Sequence, residues 1–334
     1  MRQAICCALA FAVVTSVEVG AAEEPTRPGF APPDSDLIGS EITLTAEDAR
    51  PEEDAEAAAP IEAGFANAEV YVGQYDHVAA GTGLRNTGYG TIRLRGTPDG
   101  AKKRQAFLYL GVICETASCT PKRRAVLNGS AVSLTLIATD VPCAVPDAQV
   151  GIYRADVTAK VPVGIDADYK ITGVASGVKT GSNPAVGPPG PLPFVEGATL
   201  VVIYSSSTLT PGAVYIHHGA NTFATGVLYT LPLDPLPTGT TRRYTSFGAG
   251  GQPLGPGEET WIGDVNSTSY VAGPVGSGGL LKKDSDWSGD DGWYWDTHTL
   301  DVSPRIPADS SAYVVRFVPH GDCLVAAGHV LTAR

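Results

Sequence analysis

Residues 284–298 read DSDWSGDDGWYWDTH: five aspartates, three tryptophans, a tyrosine and a histidine in fifteen positions. Asp284, Asp286, Asp290, Asp291 and Asp296, on a stretch with glycines, are the donors a hard cation with about six to eight oxygen ligands takes. Calcium is therefore the cofactor this set could hold. The alternative is a solvated acidic loop, and the spacing matches neither an EF-hand nor a nonapeptide repeat. Trp287, Trp293 and Trp295 offer indole faces for stacking on sugar rings beside polar loop groups. On a strand, Trp293 and Trp295 share a face and Tyr294 takes the other. Leu300 and Val302 select the core face, so parity turns both tryptophans outward. A bulge at Gly292 would re-register the strand and bury them. The expectation is tryptophans at or near the surface beside the Asp284–Asp291 loop; the competing arrangement packs them into a seam between domains.

Other chemistry is sparse. His217 and His218 are adjacent and point to opposite faces of a strand, and no HExxH or HxH spacing is present. VAAGHVLTA (325–333) and GSGG (276–279) faintly resemble the histidine and nucleophile segments of trypsin-like proteases, but in inverted order, with His329 close to the end of the sequence. There is no GxSxG elbow and no placed acid pair for glycoside cleavage. A hydrolase ranks third among the functional readings, and the catalytic set is empty.

The elements that must carry these residues are strands. TIRLR (91–95) alternates, AFLYLGVI (106–113) is continuously apolar, and Asn128-Gly129 inside AVLNGSAV signals a type I′ hairpin. TLVVIYS (199–205), GAVYIHH (212–218) and AYVVRFV (312–318) continue the pattern, with abundant glycine and proline between them. The expected class is all-β: two tandem, related, jelly-roll-like β-sandwiches. YRADVTAKVPVGIDADYKITGV (153–174) and HTLDVSPRIPADSSAYVVRFV (298–318) align with a single one-residue gap, pairing Asp156 with Asp301, Thr158 with Ser303, Pro162 with Pro307 and Tyr169 with Tyr313. Self-similarity of this kind predicts one supersecondary unit used twice. Within it, Asp156, Thr158, Asp301 and Ser303 read as turn-formers rather than catalysts, since their side chains bond nearby backbone groups.

The ends set the compartment. Arg2, the apolar stretch Ala4 to Val14 and Gly20-Ala21-Ala22 read as a secretory signal over residues 1–22. Residues 23–64 carry 12 acids against Arg27 and Arg50, with few large apolar groups, the composition of a disordered spacer. With a whole-chain charge of −12, the remainder is near neutral and lacks a basic stripe, which argues against nucleic-acid partners. No further apolar stretch is long enough to span a bilayer, so no membrane insertion of the mature chain is expected. The expected boundaries are 65–180 for the first sandwich, 181–194 for a Pro/Gly-rich linker and 195–334 for the second. Cys114, Cys119, Cys143 and Cys323 remain after export; two disulfides have three possible connectivities. The four-residue gap between Cys114 and Cys119 favours that bond, leaving Cys143–Cys323 to join the halves.

The AFLYLG strand, the VLNGSAV hairpin, YRADVT, EGATLVVIY (196–204) and WDTHTLDVS, taken in this order, resemble a group of secreted surface proteins of bacteria and archaea whose domains mostly lack an assigned function. The resemblance covers roughly residues 70–332 and implies an extracellular or surface-attached β-sandwich protein. It also implies an acidic residue at 298, where this chain has His298. The leading functional expectation is a secreted, non-enzymatic protein of surface structure or adhesion, with a surface glycan or another surface protein as partner. A calcium-assisted carbohydrate-binding protein using 284–298 is the alternative.

Overall fold

A computed structural model describes residues 65–115, 124–143, 145, 147–184, 190–234, 239–251, 258–265, 280–283, 291–319 and 322–334. The described residues are all-β, in four antiparallel sheets. The strands are β1 (Ala66–Gly73), β2 (Tyr75–Gly83), β3 (Gly90–Leu94), β4 (Lys102–Glu115), β5 (Arg124–Leu127), β6 (Ser130–Ser133), β7 (Thr135–Asp140), β8 (Ala148–Asp156) and β9 (Ala167–Thr172). They continue as β10 (Phe194–Ser205), β11 (Gly212–Phe223), β12 (Val227–Pro232), β13 (Arg242–Ala249), β14 (Glu259–Asp264), β15 (Leu280–Lys283), β16 (Trp295–Asp301), β17 (Ala312–Val318) and β18 (Leu324–Ala333).

Local chemistry explains the elements. In β3, Ile92 and Leu94 are buried while Arg93 is exposed, the period of two that a half-wet strand requires. The continuous apolar runs of β4 and β10 are buried on both faces and sit side by side inside one sheet. Asn128 and Gly129 both have positive φ, 48° and 78°, as a two-residue I′ turn demands, and they close the β5–β6 hairpin.

The sheet orders are β3-β9-β5-β6, β2-β10-β4-β8-β7, β1-β11-β18-β13-β16 and β12-β17-β14-β15. Three cores bind them into four layers in that sequence. Leu94, Leu108, Leu127 and Tyr169 fill the first space, and Tyr109, Val201, Ile216, Phe247 and Trp295 the second. Tyr215, Ile262, Tyr313 and Phe317 fill the third. The outer two spaces are sandwich interiors, and the middle one is a seam between two inner sheets. Setting β1 and β7 aside, each sandwich has eight strands. Numbered in chain order, both run first-eighth-third-sixth and second-seventh-fourth-fifth, the order of a jelly roll.

The passage from sixth to seventh strand is built alike in both. Asp156 Oδ1 accepts from the Thr158 amide at 2.9 Å, and Asp301 Oδ1 from the Ser303 amide at 3.0 Å. Thr158 Oγ1 then accepts from the Ala106 amide at 2.9 Å, and Ser303 Oγ from the Arg242 amide at 2.8 Å. Removing either hydroxyl (Thr158→Val or Ser303→Ala) strands an amide on the third strand. Each change is expected to cost about 1–2 kcal/mol in denaturant unfolding, and by a similar amount in both sandwiches.

The described residues fall in one compact unit, in which the seam between the two sandwiches is a core in its own right. Two expectations about organisation are corrected. The 181–194 run is not the interdomain linker: it leads from β9 to β10, and β10 pairs with β2 and β4 at the centre of the first sandwich. The chain crosses between sandwiches at 206–211. Conversely β1, expected in the first sandwich, pairs with β11 at the edge of the second. Pro/Gly composition marks an irregular connection, but the sheet a strand joins is decided by pairing partners distant in sequence. Cys143 and Cys323 form a disulfide across 180 residues; Cys114 is also disulfide-bonded, and Cys119 lies outside the described residues.

Candidate functional site

Asp284, Asp286, Trp287 and Asp290 lie outside the described residues, and the remainder of the acid–aromatic stretch disperses. Gly292 and Tyr294 have positive φ, 113° and 66°, so the alternation that would turn Trp293 and Trp295 to one face is broken before β16 begins. Trp295 is wholly buried in the seam, correcting its expected place at the surface. Its indole N–H donates to Thr199 Oγ1 at 2.9 Å. Gly197 and Gly111 make room for the ring: a Cβ on them would come within 2.2 Å and 2.5 Å of it. Trp293 and Tyr294 are half-buried, and the Tyr294 ring lies 4.8 Å from the Arg85 guanidinium. Asp291 approaches Gly81 of β2 on the seam side, whereas Asp296 is buried on the other face of β16, inside the second sandwich. Among the described residues no three His, Cys, Asp or Glu side chains are placed to hold one metal ion.

The seam carries two ionic clusters. At one, His77 of β2 reaches across to the other inner sheet, with Nδ1 2.7 Å from Thr332 Oγ1 and Nε2 2.8 Å from Thr245 Oγ1. Beside it Asp76 meets Arg243 at 2.6 Å and Arg334 at 3.2 Å. Burial raises the Asp76 carboxyl, but His77, Arg243 and hydrogen bonds from Thr332 and the His77 amide outweigh it and hold the group below its ordinary range. Burial, assisted by Arg243, pushes His77 down to about 3. At the other cluster Glu196 pairs with Arg85; burial lifts its carboxyl to about 7 against the pull of that guanidinium.

The His77 shift has a consequence for stability. The folded imidazole resists a proton that the unfolded chain accepts near pH 6.5, so stability is complete above that pH and falls as the pH drops towards 3. At pH 5 the contribution lost is about 2 kcal/mol. Unfolding midpoints from pH 8 to 5 should therefore fall less steeply in His77→Gln than in the parent chain; parallel slopes would refute the assignment.

A second group of side chains gathers inside the second sandwich. Cross-strand register sets His217 of β11 opposite His329 of β18, His329 opposite Ser246 of β13, and Ser246 opposite His298 of β16. Paired residues of antiparallel strands share a face, so three of the six histidines and a serine form one row across the inner sheet. All four are buried. His298 Nε2 lies 3.6 Å from Asp296 Oδ1. Burial keeps His217 down at about 4 and His329 well below the ordinary imidazole range. His218, on the opposite face, lies in the seam with Nδ1 3.3 Å from the Tyr109 hydroxyl.

In the first sandwich the corresponding row, traced by the same pairings, is Thr82, Ala198, Leu110 and Tyr153. The fold thus stands without histidines there. From spacing alone a pairing of His217 with His298 across the fold has no support, and His329 stands apart; the register between strands more than twenty residues apart aligns all three.

No protein-family model matches this chain, and comparison with curated proteins finds none similar to it.

Proposed function

We propose that this chain is an exported, non-enzymatic surface protein, a rigid module for surface structure or adhesion built from one jelly-roll unit duplicated and fused. The observation that carries the export reading is the Cys143–Cys323 bond, since a disulfide between chain-distant cysteines is characteristic of an oxidising compartment. The identical strand orders and matching Asp–Thr and Asp–Ser turns support duplication. So does the reciprocal packing of the seam: the first strand of each sandwich lies against the sixth of the other, β2 on β16 and β11 on β8, as in an isologous dimer. Surface biotinylation of cells expressing the tagged full chain tests the reading. Labelling of intact cells, with the disulfide intact on non-reducing gels, is expected; a reduced, unlabelled intracellular protein would refute it.

Carbohydrate binding retains one observation in its favour. A surface groove of about 490 Å³ at the edge of the seam is lined by Glu69, Tyr71, Gln105, Phe107, Arg154 and Asp156, with the Arg154 guanidinium 3.6 Å over the Phe107 ring. The half-buried Tyr71 ring beside these polar groups suits a sugar. Glycan-array binding that survives chelator and is lost in Gln105→Ala would place it in this groove; binding abolished by chelator would return it to the 284–298 acids.

A further inference from the structure

We propose that His217 and His329 form a binding site for a borderline-soft divalent metal ion, of the Zn²⁺ or Cu²⁺ type, inside the second sandwich. Directly opposed residues of an antiparallel pair have Cβ atoms about 4.5–5.5 Å apart, a span over which two imidazoles can ligate one ion at about 2.0–2.1 Å. Both rings are fully buried, yet neither nitrogen of His217 nor Nε2 of His329 has a hydrogen-bond partner. Three partnerless ring nitrogens in one place are a large departure from the rule that buried polar atoms are satisfied. The fourth, His329 Nδ1, lies 2.5 Å from the Tyr244 hydroxyl. That is how ligating imidazoles are held: one nitrogen fixed by a neighbouring polar group, the other presented to the metal.

The surroundings restrict the occupant. Phe65, Tyr229, Phe317 and Tyr244 ring centroids stand 4.5, 5.5, 5.7 and 5.8 Å from that of His329, and Tyr313 stands 6.1 Å from His217. Rings packed this closely exclude an organic ligand and limit any occupant to an ion with its water. The hydroxyls of Tyr229 and Tyr313, buried and likewise partnerless, supply hydrogen bonds to water completing the coordination. A nitrogen-only protein donor set favours a borderline ion over calcium or magnesium. The first sandwich, with Thr82 and Ala198 at these places, has no such site, which provides an internal comparison.

The test uses the full exported chain, stripped with chelator and reloaded with Zn²⁺ or Cu²⁺. One equivalent retained through gel filtration is expected, with copper resonance spectra carrying hyperfine structure from two imidazole nitrogens. His217→Ala and His329→Ala should each weaken retention at least tenfold, while His218→Ala, on the seam face, should not. Absence of metal uptake by the folded parent would overturn the proposal and leave a bridging water as occupant. Uptake unchanged in both His217→Ala and His329→Ala would overturn it too, as a surface site. If those variants do not fold, the copper spectrum of the parent decides: a spectrum without nitrogen hyperfine structure refutes the site.

Discussion

Replacing Cys143 and Cys323 by serine is expected to lower the free energy of unfolding by about 5 kcal/mol, the largest single effect foreseen for this chain. The bond spans 180 residues, and the entropy it removes from the unfolded chain grows with the logarithm of that length. Its folded-state role is smaller. Cys143 follows β7 and Cys323 precedes β18, and Asp140 at the end of β7 already accepts a hydrogen bond from the Thr222 amide of β11 at 2.7 Å. The two inner sheets are thus aligned at this end by non-covalent contacts. The double variant should fold to the same structure, with its urea midpoint lowered and its native spectra retained. A loss below about 1 kcal/mol would mean that the unfolded chain is already restrained there, and the loop-entropy argument would fail.

Trp295→Ala is expected to cost about 3–5 kcal/mol, whereas Trp293→Ala, at a half-buried position, should cost about 1 kcal/mol. The difference follows from placement. The Trp295 ring fills the seam against Gly111 and Gly197 and donates to Thr199, so truncation leaves both a cavity and an altered polar contact between the two inner sheets. Gly197→Ala would drive a Cβ to within 2.2 Å of the indole and is destabilising by itself. In the Trp295→Ala background the same methyl enters vacated space. The two changes should therefore be less damaging together than the sum of the singles, by at least about 1 kcal/mol in a double-mutant cycle. Additive losses would show that Trp295 is not the neighbour that requires glycine at 197. A small loss for Trp295→Ala would reopen the ring as a ligand platform.

The all-β class was legible without coordinates because its causes are local. Alternation in TIRLR, the doubly buried composition of AFLYLGVI and the positive-φ requirement met by Asn128-Gly129 act within a few residues. The matching Asp–Val–Thr and Asp–Val–Ser turns have short-range causes as well, since each aspartate bonds an amide two residues on. What escaped the sequence depends on pairing between remote strands. Trp295 keeps the parity read from Leu300 and Val302 and faces away from their core, but that outer face is the seam packed against the first sandwich, so the ring is buried there. β10 belongs to the first sandwich because its backbone pairs with β2 and β4 and its two apolar faces are covered by the first core and the seam, whatever the proline content of the segment before it. His217, Ser246, His298 and His329 become neighbours through register, and register is chosen by the packing of whole sheets, so no spacing along the chain encodes it visibly.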